Sequence, residues 1–132
     1  MFKPTGKRQT KESTTSPGSN LRLVVQTEAP QRRMFNISFV QSVVLGRGSD
    51  EDSKQPDIDL TPAGAKDAGV SRFHARIQFQ EDTLFIEDMG STNGTRINGF
   101  ELIGGKSYRL TPGDEIELGS LRMTVRLMRG GN

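Results

Sequence analysis

The sequence contains no cysteine and a single histidine in 132 residues, and both scarcities narrow the chemistry available to it. Without a thiol the chain forms no disulfide bond and has no thiolate nucleophile. Zinc sites use several Cys and His side chains together, so one histidine argues against a metal centre. We therefore expect neither a metal site nor a cofactor.

Long apolar runs are also missing. No apolar stretch approaches the roughly 20 residues of a membrane-spanning helix, and no apolar segment follows the N-terminal lysines as a secretory signal requires. The formal net charge is only +2 and no nucleic-acid-reading motif is present, which argues against a nucleic-acid partner. These features predict a cytoplasmic protein without membrane or nucleic-acid contacts.

The uneven distribution of apolar residues predicts the domain organisation. Residues 1–20 are rich in Lys, Thr, Ser, Gly and Pro, and they contain too little apolar surface to offset the entropy cost of ordering. We predict a flexible N-terminal arm over residues 1–20, disordered when free. A single domain is expected over residues 21–128, followed by a short tail over residues 129–132.

From Leu21 onward the pattern is that of β-strands. Period-two alternation and β-branched residues recur in short runs, which turn sequences such as Asn98-Gly99 separate. No stretch of ten or more residues repeats its apolar positions with the period of a helix. This pattern predicts an all-β, antiparallel sandwich or barrel. The predicted strands cover residues 21–26, 35–40, 43–45, 73–79, 84–86, 108–110, 115–118 and 121–127.

Three polar clusters lie where predicted strands begin or end, at residues 45–48, 70–75 and 88–95. Arginine keeps its charge and presents a rigid fork of donors, while hydroxyl and amide groups add neutral donors. This set of groups suits a phosphate monoester. Alone, each cluster is typical of an ordinary turn or solvated loop. Loops at one end of a sandwich can bring the three clusters together.

Taken together, the clusters resemble the forkhead-associated (FHA) domain family. The spacing also resembles the family, with 24 positions from Arg47 to Ser71 and 22 from Ser71 to Asn93. The resemblance implies an antiparallel β-sandwich of about eleven strands, with phosphothreonine-binding loops at one apex. The residues that carry it are Gly46-Arg47, Ser71-Arg72-Phe73-His74 and Gly90-Ser91-Thr92-Asn93-Gly94-Thr95.

The resemblance implies a role for each of five binding residues, when the roles known in the family are carried over to the matching positions. Arg47 would bind phosphate oxygens, and the Ser71 hydroxyl would donate to the phosphate. Arg72 would add a further phosphate contact. Thr92 would lie against the phosphate or the threonine methyl group, and Asn93 would hold the peptide main chain.

The resemblance also implies structural residues. Gly46, Gly90 and Gly94 match positions that shape the loops in this family. The matching histidine is buried and ties the recognition loop by hydrogen bonds, so His74 is expected to be structural rather than catalytic.

The segment after Arg47, residues 48–57, is longer than in many relatives and is acidic. Carboxylates that face the binding site would repel a phosphate. We hypothesise that they point outward and bias the site toward peptides with basic flanking residues.

The N-terminal arm suggests a further hypothesis. Thr10, Thr14 and Thr15 are expected to be accessible, and some small bacterial members of the family are phosphorylated on such an arm. A phosphorylated arm would occupy the domain's own site, helped by its high effective concentration. The alternative is that this stretch is an ordinary Ser/Thr-rich tail.

We expect a phosphothreonine-peptide-binding module that acts as an adaptor or regulator in Ser/Thr kinase signalling. Its partners would be phosphothreonine proteins, either substrates of a Ser/Thr kinase or the kinase itself, and we expect a monomer. One alternative is a sandwich that binds proteins independently of phosphate. An enzyme is not expected, because the sequence shows no nucleophile with a base, no metal ligands and no nucleotide-binding loop.

Overall fold

The computed structural model describes residues 21–129, and β-strands make up about half of this range. A single 3-10 turn, Thr61–Ala63, is the one helical element described there. The strands are β1 Leu21–Thr27, β2 Met34–Phe39, β3 Ser42–Gly46, β4 Ile58–Asp59, β5 Ala75–Gln80, β6 Thr83–Asp88, β7 Thr95–Ile97, β8 Phe100–Glu101, β9 Ser107–Leu110, β10 Glu115–Leu118 and β11 Leu121–Arg129.

The strands form two sheets. The first has six strands in the order β2-β1-β11-β10-β7-β8, and the second has five in the order β4-β3-β5-β6-β9. Neighbouring strands are antiparallel except for the short parallel pair β3 and β4. The structure therefore confirms the predicted all-β, antiparallel sandwich of about eleven strands.

The core lies between the two sheets. Successive side chains of a strand point to opposite faces, so the alternating apolar residues of each sheet meet at its inner face. Burying one such Leu or Ile side chain contributes about 1.5–3 kcal/mol. The largest fully buried apolar side chains are Leu23, Val25, Val43, Leu45, Leu60, Ile77, Ile86, Ile116, Leu118 and Met123.

Most predicted strands are found within two residues of their expected bounds, but three short strands were missed. These are β4, β7 and β8, which have two or three residues each. Such short elements contain too few residues to display an alternating pattern. The turn at Asn98-Gly99 was predicted, and the positive φ angles of 51° and 84° at these residues suit the tight hairpin between β7 and β8.

The strand register places the three polar clusters at one end of the sandwich. Leu45 near the end of β3 lies opposite Ala75 at the start of β5, and Ala75 lies opposite Asp88 at the end of β6. These strand ends therefore share one edge, and the loops that leave them are neighbours. The loops are β3–β4 (residues 47–57), β4–β5 (residues 60–74) and β6–β7 (residues 89–94).

Two predictions concern the termini and membranes. The arm over residues 1–20, with Thr10, Thr14 and Thr15, lies outside the described residues, as do residues 130–132 of the tail. Residues 21–129 contain no helix with the length and apolar character needed to span a bilayer.

Candidate functional site

Arg47 is fixed against the loop that precedes β5. Its backbone amide donates to the Ser71 carbonyl at 3.0 Å, and its side-chain Nε donates to the Val70 carbonyl at 3.1 Å. Among residues 21–129, neither terminal nitrogen of the guanidinium has a hydrogen-bond or ion-pair partner. The Arg47 side chain is thus anchored through Nε and keeps two charged NH₂ groups for an external ligand.

The β6–β7 loop reaches the same segment. The Thr92 amide donates to the Ser71 hydroxyl oxygen at 3.0 Å, and Asn93 Nδ2 donates to the Gly69 carbonyl at 2.9 Å. Because the Ser71 oxygen accepts in this contact, its own O–H remains a donor for another group. Thr92 and Asn93 are both exposed. The structure therefore brings four predicted binding residues, Arg47, Ser71, Thr92 and Asn93, around residues 69–71.

Arg72 is arranged differently, because its side chain is bound to the β3–β4 loop. Its Nε donates to the Arg47 carbonyl at 2.9 Å and its Nη2 to the Lys54 carbonyl at 3.2 Å. Nη1 lies 3.5 Å from Asp52 Oδ2, and the guanidinium carbon lies 5.7 Å from the centroid of the Phe73 ring. Each of the three nitrogens thus has a partner within the protein.

The hypothesis that the carboxylates of residues 48–57 point outward is therefore wrong for Asp57, whose Oδ2 accepts from the Val44 amide at 2.8 Å, and for Asp52. The Asp52 carboxylate turns toward Arg72 because an opposite charge is within reach. Asp50 and Glu51 are exposed, and neither side chain has a hydrogen bond or ion pair within residues 21–129.

His74 joins two of the loops through both ring nitrogens. The Ser71 amide donates to Nδ1 at 3.0 Å, so Nδ1 is unprotonated, and Nε2 carries the proton that it donates to the Gly94 carbonyl at 2.8 Å. Burial lowers the pKa of His74, although the Gly94 carbonyl and the Asp88 carboxylate act in the opposite direction. The ring is fully buried and neutral, and it is held where it can orient Ser71.

Asp88 organises the β6–β7 loop, and the sequence analysis missed this role. Its Oδ1 accepts from the hydroxyls of Ser91 and Thr95, both at 2.6 Å. Its Oδ2 accepts from the amides of Gly90 and Ser91, both at 3.0 Å. Burial alone would raise the pKa of Asp88, but these hydrogen bonds favour the charged carboxylate and bring its pKa below the usual value.

A signal for this role was present in the sequence. An aspartate followed by a glycine two positions later and a serine three positions later is typical of a turn in which the carboxylate accepts from nearby amides. Asp88, Gly90 and Ser91 have this spacing.

Two glycines allow the loops to approach closely. A Cβ atom at Gly46 would lie 2.0 Å from the Arg72 carbonyl oxygen, and one at Gly69 would lie 2.5 Å from Asn93 Nδ2. Gly46 was predicted to be structural, whereas Gly69 was not singled out. The other predicted glycines, Gly90 and Gly94, begin and end the turn that Asp88 holds, with φ angles of 77° and 89°.

Residues 43–119 match the family model of the FHA domain, and they make up more than half of the chain. The chain belongs to the FHA domain family. The FHA domain suggested by the sequence motifs is thus confirmed, and the match covers the three loops and the strands from β3 to β10.

Individual proteins resemble the chain over part of their length. It is 46% identical to protein FraH of Nostoc sp. over 76 residues, which are 58% of this chain and 26% of FraH. It is 33% identical to FhaA of Mycobacterium tuberculosis over 86 residues, which are 65% of this chain and 14% of FhaA. The chain therefore spans about a quarter or less of the length of these relatives.

A solved FHA structure is also similar. It represents an FHA domain with phosphothreonine-dependent interactions, and it superimposes with a TM-score of 0.61 at 28% sequence identity. The match covers 80% of this chain and 95% of that domain.

Proposed function

We propose that the protein binds phosphothreonine peptides through the β3–β4, β4–β5 and β6–β7 loops, and that it serves as an adaptor or regulator in Ser/Thr kinase signalling. One observation carries this proposal. The guanidinium of Arg47 and the side chain of Asn93 reach, from separate loops, the segment of residues 69–71 that carries the Ser71 hydroxyl. All three retain donors or acceptors for an external ligand.

The phosphate is held by Arg47 and Ser71 in this proposal. The two NH₂ groups of Arg47 donate to phosphate oxygens, and the Ser71 O–H adds a third donor. Hydrogen bonds to a charged group contribute about 1.5–3 kcal/mol each, so these contacts separate a phosphorylated from an unphosphorylated threonine. The neutral His74 ring supports the site by fixing the backbone of Ser71.

The peptide main chain is held by the β6–β7 loop. Asn93 is exposed and uses one amide hydrogen on Gly69, which leaves its Oδ1 and a second hydrogen for peptide backbone groups. Thr92 lies against the phosphate or the methyl group of the phosphothreonine. The four acceptor contacts of Asp88 keep this loop in one conformation before the peptide arrives, which lowers the entropy cost of binding.

The partners are phosphothreonine proteins, either substrates of a Ser/Thr kinase or the kinase itself, and the protein acts as a monomer in the cytoplasm. Their phosphorylation state, rather than any reaction at this site, determines when they bind. The solved FHA domain with phosphothreonine-dependent interactions supports this choice of ligand.

The test is binding to a degenerate peptide pool with one fixed phosphothreonine, compared with the same pool carrying unmodified threonine. Fluorescence anisotropy should detect saturable binding of the phosphorylated pool alone. The Arg47→Ala variant should lose this binding. Arg109→Ala is the matched control, since Arg109 lies on β9 at the opposite end of the sandwich and should not affect affinity.

Equal binding of both pools by the wild-type protein would contradict the proposal. It would favour a sandwich that binds its partners independently of phosphate. Retention of phosphopeptide binding by Arg47→Ala would show that a different surface holds the phosphate.

A further inference from the structure

Arg72 has a charged partner inside the protein, although it stands beside Ser71 in the proposed phosphate site. The Asp52 carboxylate lies 3.5 Å from Nη1 of Arg72, and both side chains are partly exposed, at 45% and 28%. The ion pair is therefore reachable from solvent. A phosphate that approached Arg72 would meet a guanidinium already paired with a carboxylate.

The position of Asp52 is fixed by its own loop. Its Oδ1 accepts from the Lys54 amide at 3.1 Å, and its carbonyl accepts from Gln55 Nε2 at 2.6 Å. The Gln55 side-chain oxygen in turn accepts from the Ser49 amide at 2.9 Å. Oδ1 thus holds the turn while Oδ2 faces Arg72, so the carboxylate is positioned for this contact rather than solvated at random.

The base of the same loop is anchored as well. Gly48 donates its amide to Asp59 Oδ1 at 2.8 Å, and the amide and hydroxyl of Thr61 donate to the same oxygen at 3.0 and 2.6 Å. Burial alone would raise the pKa of Asp59, but these bonds and the charge of Arg72 hold it below its usual value. Asp59 therefore stays charged and keeps the loop close to Arg72.

We propose that Asp52 is a specificity-determining residue that competes with the ligand phosphate for Arg72. This inference rests on the proposed function, because it concerns the same site. A phosphopeptide must displace the Asp52 carboxylate to recruit Arg72, which weakens the binding of peptides with neutral flanking residues. A peptide with Lys or Arg beside the phosphothreonine supplies a new partner for the displaced carboxylate.

The ligand class that follows is a phosphothreonine peptide with a basic flank. The exposed Asp50 and Glu51 add to the same local field, but of these three carboxylates only that of Asp52 contacts a site residue within residues 21–129. The preference for a basic flank is therefore expected to depend on one side chain of the loop rather than on its summed charge.

The decisive experiment compares Asp52→Asn with Asp50→Asn. Asparagine at position 52 keeps the Oδ1 acceptor for the Lys54 amide and removes the charge that faces Arg72. Asp50→Asn removes an equal charge from the same loop without touching Arg72. Each variant is titrated with two synthetic phosphothreonine peptides, one flanked by alanines and one flanked by lysines.

Exposed ion pairs are weak, so we expect Asp52→Asn to bind the alanine-flanked peptide about two- to fivefold more tightly than wild type. Its preference for the lysine-flanked peptide should shrink by a similar factor. Asp50→Asn should keep the wild-type affinity for the alanine-flanked peptide. The gain should vanish when Arg72→Ala is combined with Asp52→Asn, since the released arginine is then absent.

Two results would overturn the inference while leaving the proposed function intact. The first is equal binding of the alanine-flanked peptide by Asp52→Asn and Asp50→Asn. The second is an Asp52→Asn gain that persists without Arg72, which would show that Asp52 repels the ligand directly. Failure of the wild-type protein and Asp52→Asn to bind either peptide would reject the proposed function and this inference together. Thermal melts of each variant confirm that the protein remains folded.

Discussion

The Ser71 amide and the His74 ring are joined by a hydrogen bond of 3.0 Å in which the ring nitrogen Nδ1 is the acceptor. The other ring nitrogen donates to Gly94, so a buried imidazole connects two of the three loops at the site. Protonation of Nδ1 would remove the acceptor and place a charge in the protein interior.

This pair predicts a loss of stability in mild acid. Burial lowers the pKa of His74 in the folded protein below the unfolded value of about 6.5, so the unfolded chain takes up the proton first. The contribution of His74 to the free energy of unfolding should therefore be constant above pH 6.5. It should fall as the pH drops below that value, until the folded pKa is also passed.

Thermal or urea unfolding between pH 7.5 and 5 checks this expectation. His74→Gln is the control, because a variant without an imidazole should be less stable throughout and should lack the slope. A wild-type stability that is flat over this range would contradict the assignment of a neutral, buried ring.

Asp88→Asn should destabilise the protein by about 1–3 kcal/mol, because the four donors from Gly90, Ser91 and Thr95 lose a charged acceptor. The side-chain NH₂ group of the variant would also face the donor groups of Gly90, Ser91 or Thr95. Chemical denaturation measures the effect. Asp67→Asn is a matched control on an exposed residue, and it should change the free energy of unfolding very little. Equal effects of the two substitutions would argue against the anchoring role of Asp88.

Gly46→Ala should destabilise the fold by roughly 1–3 kcal/mol or more, because the new Cβ would lie 2.0 Å from the Arg72 carbonyl oxygen. The backbone must move to relieve this contact, so phosphopeptide binding should weaken too. Gly104→Ala provides the comparison. A Cβ there has no contact closer than 3.6 Å, and its stability should match that of the wild-type protein.

Asn93→Ala should weaken phosphothreonine-peptide binding about tenfold, or roughly 1.4 kcal/mol, with little change in melting temperature. The physical reason is that Asn93 is exposed and its one side-chain hydrogen bond within residues 21–129, to Gly69, lies at the surface. Calorimetric titration gives the affinity. Asn36→Ala, an exposed asparagine on β2, should leave binding unchanged. A large loss of stability in Asn93→Ala would instead assign that residue a structural role.

The extent to which the sequence predicts this fold depends on the length of each element. β10 was predicted at its observed bounds, Glu115–Leu118, because its two apolar residues point inward and two glutamates point outward. β4 was missed because two residues, Ile58 and Asp59, cannot establish a period. Their pairing is set by β3, a neighbour that is more than ten positions away in the chain.

The candidate site was predictable from the sequence only in part. The types and order of Arg47, Ser71 and Asn93 are visible in the sequence, and the family resemblance gives each a role. Their internal contacts are not visible. The pairing of Arg72 with Asp52 depends on the path of the β3–β4 loop, which local sequence preferences do not determine.

The binding loops leave their sheet at one shared edge, marked by Leu45, Ala75 and Asp88. The binding surface can therefore be changed without altering the strands that form the fold. The amide and Nε of Arg47 donate to the carbonyls of Val70, Ser71 and Arg72, and none of these bonds involves residues 50–54. That stretch can therefore be randomised in a display library while Arg47 and Ser71 stay in place. The same changes vary the partners of Arg72, which bonds to Lys54 and pairs with Asp52. The domain should serve as a scaffold from which affinity reagents for chosen phosphothreonine sites are selected.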